Sequence, residues 1–123
     1  MSGEARTIGG TAVYVLAPDG PLLDGERAAT DLIGEALGAR AELLVVPVGR
    51  LAPGFLALRT RIAGEAIQKF VNYGLKVAFV GDVSEAVGAS DALRDFVRES
   101  NRGRHVWFVA DEAELAEKLA RLG

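Results

Sequence analysis

Three apolar runs most constrain how this chain can fold: ELLVVPV at 42–48, LKVAFVG at 75–81 and HVWFVA at 105–110. They are rich in β-branched and aromatic residues and show little polar–apolar alternation, so each reads as a strand covered on both faces. Helix-length segments with a 3.6-residue apolar rhythm separate them. Strands alternating with helices imply a largely parallel sheet, because each crossover returns the chain to the same direction. Ahead of them, RTIGGTAVYVLA reads as two strands joined at Gly9-Gly10, a pair that tolerates the positive φ of a tight hairpin turn. The expected fold is therefore α/β: a single domain with a mixed, mainly parallel sheet, opened by an N-terminal hairpin and packed with helices. The whole of 1–123 is taken as one domain, with 1–10 as a partly flexible N-terminus and first hairpin strand.

The helical segments carry their own punctuation. DGERAATDLIGEALGA places Ala28, Ala29, Leu32, Ile33, Ala36 and Leu37 on one face, with Asp24 as N-cap and Gly38 as stop. In the second helix Ile62, Ala63, Ala66, Ile67 and Phe70 share a side that excludes Phe55 and Leu58, which predicts a start or bend near Thr60, itself a suitable N-cap. SDALRDFVRES forms a third helix with Leu93, Phe96 and Val97 inward. DEAELAEKLARLG forms the last, capped by Asp111 with Glu114 at the capping-box position and Leu115, Leu119 and Leu122 facing the core.

Composition narrows the function classes. Half of the 123 residues are hydrophobic and 25% are charged, the balance of a soluble globular protein. A formal net charge of -3 argues against nucleic acid as a partner. With no cysteine there is no disulfide and no thiolate chemistry, which accords with a reducing cytoplasm. MSGEARTIGG has no apolar signal region, and no stretch reaches the ~20 apolar residues of a membrane span, so neither secretion nor a membrane is expected. The bias toward Ala, Gly and Arg is that of a GC-rich bacterial genome. His105 stands alone, no Gly-rich phosphate loop follows a strand, and Ser84, Ser90 and Ser100 lack a nucleophile-elbow context, so no metal, cofactor or catalytic group is expected.

FLALRTRIAGEAIQKFVNYGLKVAFVGD, followed by ALRDFVRESNRG, resembles the bacterial domain-of-unknown-function family DUF4180. The matching residues are Phe55, Leu58, Thr60, Ala63, Gly64, Glu65, Gln68, Lys69, Phe70, Asn72 and Tyr73, then Gly81 and Asp82, then Leu93, Arg94, Asp95, Phe96, Glu99, Ser100, Asn101 and Gly103. Arg61 departs from the pattern, which has Gly there. The resemblance covers the central and C-terminal two-thirds and implies no activity. More remotely, the element order is similar to the STAS-like fold of anti-sigma-factor antagonists. In those proteins a Ser or Thr at the start of the second helix is phosphorylated, and Thr60 lies near the comparable place.

Each candidate site residue has a plain reading beside a functional one. Arg61, Glu65, Gln68 and Asn72, spaced four, three and four, stack along one side of a helix with Lys69 beside them. They form either a solvated face or a contact surface. Thr60 is a helix cap or, between Arg59 and Arg61, a phosphorylation target. Asp82 ends a buried strand where open α/β sheets hold ligands, and is equally a turn cap. Arg94 has a local partner in Asp91. Asn101 suits a left-handed helix end, while an alternative brings Arg94 and Asn101 to Glu65 or Asp82. The favoured expectation is a small cytoplasmic, non-enzymatic regulatory or interaction domain that docks an unidentified protein partner on the second helix. The alternatives are a small-molecule-binding domain or carboxylate-dependent enzyme with its cleft at the strand ends, and a homodimer whose contact is the stripe itself.

Overall fold

In the computed structural model of the protein the described residues are 3–122, so Met1 and Ser2 of the expected N-terminal segment lie outside them. Strand β1 (Gly3–Ile8) turns at Gly9 and Gly10, whose φ values of 55° and 82° are both left-handed, into β2 (Thr11–Leu16). Positive φ at both central residues makes a turn whose twist suits two antiparallel strands. Then follow α1 (Glu26–Gly38), β3 (Leu43–Pro47), α2 (Ile62–Asn72), β4 (Lys76–Val80), a short α3 (Ser84–Ala89), α4 (Asp91–Arg102), β5 (Val106–Val109) and α5 (Glu112–Leu122). The five strands lie in the order β1-β2-β3-β4-β5, with β1 antiparallel and the rest parallel.

This order decides where the helices go. Sequential parallel strands joined by crossovers of one hand put every crossover helix on the same face. Ala29, Ile33, Ala66 and Phe70 accordingly pack with Tyr14, Leu44, Val77 and Phe79, and Phe96 of α4 joins them. Helix α5 follows the last strand and crosses nothing. Its Leu115 and Leu119 cover the opposite face, against Val13, Val45, Ala78 and Trp107. Successive strand residues thus alternate between two covered faces, which is why the runs are apolar throughout. A chain of rings ties the loop to the edge: Phe55–Phe79 at 5.5 Å, Phe79–Phe108 at 4.9 Å and Phe96–Phe108 at 6.0 Å.

Several local expectations change. The N-cap of α1 is Gly25, with no side-chain bond, rather than Asp24. The helix runs through Gly38 and reverses at Arg40 (φ 59°), where the Arg40 N–H bonds the Leu37 carbonyl and the Ala41 N–H bonds the Ala36 carbonyl. Helix α2 ends with the same pair of bonds around Gly74 (φ 70°), the residue such an ending favours. Leu37 and Leu122 sit at helix ends, 44% and 40% exposed, rather than in the core. The SDALRDFVRES helix forms as α4, capped by the Ser90 hydroxyl, which accepts the Leu93 N–H at 3.1 Å, and the short α3 ahead of it is an additional helix. The Asp111–Glu114 cap forms as expected: Glu114 N–H bonds Asp111, and the Glu114 carboxylate takes the Ala110 N–H.

Candidate functional site

The segment between β3 and α2 is built from turns. Pro47 ends its strand, Val48–Arg50 makes one 3-10 turn and Leu58–Thr60 another. The Thr60 hydroxyl lies 2.8 Å from both the Gly54 and Ala57 carbonyl oxygens and accepts the Ile62 N–H at 3.3 Å. It knots the turn, while the cap position itself belongs to Arg61, in the left-handed conformation at φ 66°. The resemblance implies Gly at this position, which such a backbone suits, since left-handed φ strains a residue with a Cβ.

Two open grooves meet at Leu58. The larger, about 700 Å³, lies at the C-terminal ends of β3 and β4 and is walled by Val48, Leu51, Leu56, Leu58, Arg59, Ala86 and Ser90 among others. The smaller, about 440 Å³, runs over Glu26, Leu58, Arg61, Gly64, Glu65, Gln68 and Phe96. Arg61, Glu65 and Gln68 of the α2 stripe therefore border a concavity with apolar Leu58 and Phe96 in it. Gln68 donates to Asn72 at 2.8 Å on the same exposed side. Lys69 is half-buried, and neither it nor Asn72 lines that groove.

The other candidates are engaged elsewhere. Asp82 accepts the Ser84 N–H at 2.8 Å and starts α3. Hydrogen bonds from the Ser84 side chain and backbone hold its carboxyl below the ordinary aspartate value. Arg94 pairs with Asp91 at 2.9 Å and stays on its own helix. Asn101 is helical, not left-handed, and its side chain bonds the backbone of Phe108 in β5. Arg94 thus keeps its expected local partner, and the alternative meeting of Arg94 and Asn101 with Glu65 or Asp82 does not occur.

Sequence reasoning missed Arg50. It is 1% exposed, and its guanidinium donates to the carbonyls of Pro21 at 2.8 Å, Ala17 at 2.9 Å and Asp19 at 3.4 Å. The Arg50 carbonyl in turn accepts the Leu23 N–H at 2.7 Å. This buried cation straps the β2–α1 loop to the turn that floors the larger groove. Gly20 passes so close that a Cβ there would lie 3.0 Å from the guanidinium carbon. Gly81 (φ 143°) likewise leaves room for Val48, which a Cβ would meet at 2.3 Å. The Arg50 strap does not show in the sequence, since an Arg between Gly and Leu reads as a surface residue.

Tyr14, buried in β2, donates to Glu35 at 2.9 Å. Burial, then the Glu35 carboxylate, raise its hydroxyl above the ordinary tyrosine value. Among the described residues no group of three His, Asp or Glu side chains is placed to hold a metal ion. Among the described residues no helix is long and apolar enough to cross a membrane.

A family match covers residues 8–119, and its description reads Domain of unknown function (DUF4180). It bears out the resemblance carried by the central motifs and extends it back to the last residue of β1 and forward into the last helix. No curated protein and no solved structure matches the chain, so the likeness to the STAS-like fold rests on element order alone.

Proposed function

This chain belongs to the DUF4180 family, and for it we propose a non-enzymatic binding role: a protein partner docks across the paired grooves and sets the activity of a regulatory assembly in the cytoplasm. The observation that carries this reading is the junction at Leu58. An apolar groove and a charged one share that residue, giving an extended concave face with apolar anchors beside Glu26, Arg61, Glu65 and Gln68. Apolar anchors ringed by polar groups are the anatomy of a protein contact.

Thr60 gives the face a means of control. Thr60 is an exposed residue, with exposed arginines at 59 and 61. A phosphate ester has no proton to donate to Gly54 or Ala57, and it would set about -1.5 to -2 charge beside their carbonyl oxygens. The knot would open, and the turn bearing Leu56 and Leu58 would shift. The switch then works by reshaping the groove wall as well as by charge.

The test is affinity capture from the native host with wild type and a folded Leu58→Glu, Glu65→Ala variant. A protein retained by wild type and lost by the variant supports the docking face. Equal capture by both removes it. The larger groove also favours a second reading, a small-molecule site, because it lies at the strand C-termini where open α/β sheets bind ligands. A thermal-shift metabolite screen in which Leu51→Trp abolishes a hit would select that reading.

A further inference from the structure

The two edges of the sheet are finished differently. At the β5 edge the Asn101 amide accepts the Phe108 N–H at 2.7 Å and donates to the Phe108 carbonyl at 3.2 Å. The carbonyls of His105 and Val109 take bonds from the β4 side, so the backbone groups of Val106 and Phe108 face outward, and a side chain has closed those of Phe108. At the β1 edge no described strand lies beyond. The two-residue turn makes Ile8 and Thr11 the hydrogen-bonded pair that closes the hairpin. Alternation then points the backbone groups of Arg6 and Glu4 at β2, and those of Thr7 and Ala5 outward. Residues 4–7 are all exposed.

Unpaired edges recruit other strands, and proteins that avoid this commonly blunt them with charged side chains, Lys above all, with Pro or with a bulge. Here the charges are opposite and flank one small residue: Glu4, Ala5, Arg6. We propose that β1 pairs antiparallel with β1 of a second copy about a two-fold axis through Ala5, joining two sheets into one. In that register Ala5 exchanges backbone bonds with the partner's Ala5. Glu4 stands opposite the partner's Arg6, and Arg6 opposite the partner's Glu4.

Charge selects this register over its neighbours. Moving the axis one residue to Glu4 sets carboxylate against carboxylate, and moving it to Arg6 sets guanidinium against guanidinium. Like charges directly opposite destabilise a strand pair, and opposite ones support it. Arg6 is already turned to the α5 face by ion pairs with Glu4 and Glu112, so its side chain stands on the face where the partner's Glu4 would arrive. The contact is isologous and closes on itself, as two-fold dimers require. It uses none of the groove residues, so it stands or falls independently of the docking face.

The test is sedimentation equilibrium of the full chain across the micromolar range. The expected result is a concentration-dependent dimer. Ala5→Pro removes an outward N–H at an edge position where proline is tolerated. Glu4→Arg places like charges across the contact. Each weakens dimerisation by roughly tenfold or more, and the swap Glu4→Arg, Arg6→Glu restores it. Should Ala5→Pro fail to fold, the single and double charge variants carry the test, with circular dichroism confirming their fold. A chain that stays monomeric throughout overturns the proposal and leaves the edge to a strand of another protein. A dimer indifferent to Glu4→Arg also overturns it and puts the contact elsewhere.

Discussion

Asn101, on the last turn of α4, holds the backbone of Phe108 at both its N–H and its carbonyl, as a neighbouring strand would. One side-chain amide thereby ties a helix to the strand that follows it and meets one residue of the sheet edge. Asn101→Ala leaves two buried backbone groups unmet, since Phe108 is only 6% exposed. The expected loss is about 2 kcal/mol by urea unfolding. Asn101→Asp recovers little, because a carboxylate accepts the N–H but repels the carbonyl.

Arg50 is held by three backbone carbonyls and almost no solvent. Arg50→Met leaves those carbonyls without donors and is expected to cost about 3 kcal/mol. Arg50→Lys rescues only part, because an ammonium cannot reproduce the planar fork that reaches Ala17 and Pro21 together. Chemical denaturation of both variants checks this, and a loss below that of an ordinary surface substitution would refute the strap.

Arg40 and Arg61 occupy left-handed backbone at φ 59° and 66°. Arg40→Gly and Arg61→Gly each remove a strained Cβ and are expected to raise stability by about 1 kcal/mol. The sites are in separate turns, so the two gains should add in the double variant. Thermal unfolding of the single and double variants measures both claims.

Asp82 and Tyr14 set opposite ends of the pH profile. Asp82 has a lowered carboxyl pKa, so its stabilising contribution is full above the ordinary aspartate value of about 4 and is lost as pH falls through the lower folded value. Asp82→Ala should therefore be less stable than wild type at neutral pH, with the gap closing on strong acidification. Tyr14 has a raised pKa, so its contribution is full below about 10 and is lost as pH rises through the higher folded value. Tyr14→Phe should flatten that alkaline loss. Unfolding midpoints measured across pH report both.

What was legible in the sequence was local and periodic. Gly9-Gly10 announced the hairpin, the β-branched runs announced strands covered on two faces, and Asp111 with Glu114 announced the last helix. What was not legible depends on contacts between distant segments. Arg50 is buried only because the loop at 17–21 folds over it. Asn101 leaves its expected helix-end role only because β5 lies within its reach. The stripe on α2 could be read as spacing, but the groove beneath it needs Phe96 from α4 and Leu58 from a turn whose bend was expected and whose left-handed Arg61 was not.

The docking face is tested most directly by site-specific photo-crosslinking in the native host. Benzoylphenylalanine replaces Leu58, where the grooves meet, and in a control replaces Arg27, exposed on α1. The account predicts a discrete adduct of higher mass from position 58 and none from position 27, with the position-58 adduct weakened by Glu65→Ala. No adduct from position 58, or the same adduct from both positions, would contradict it.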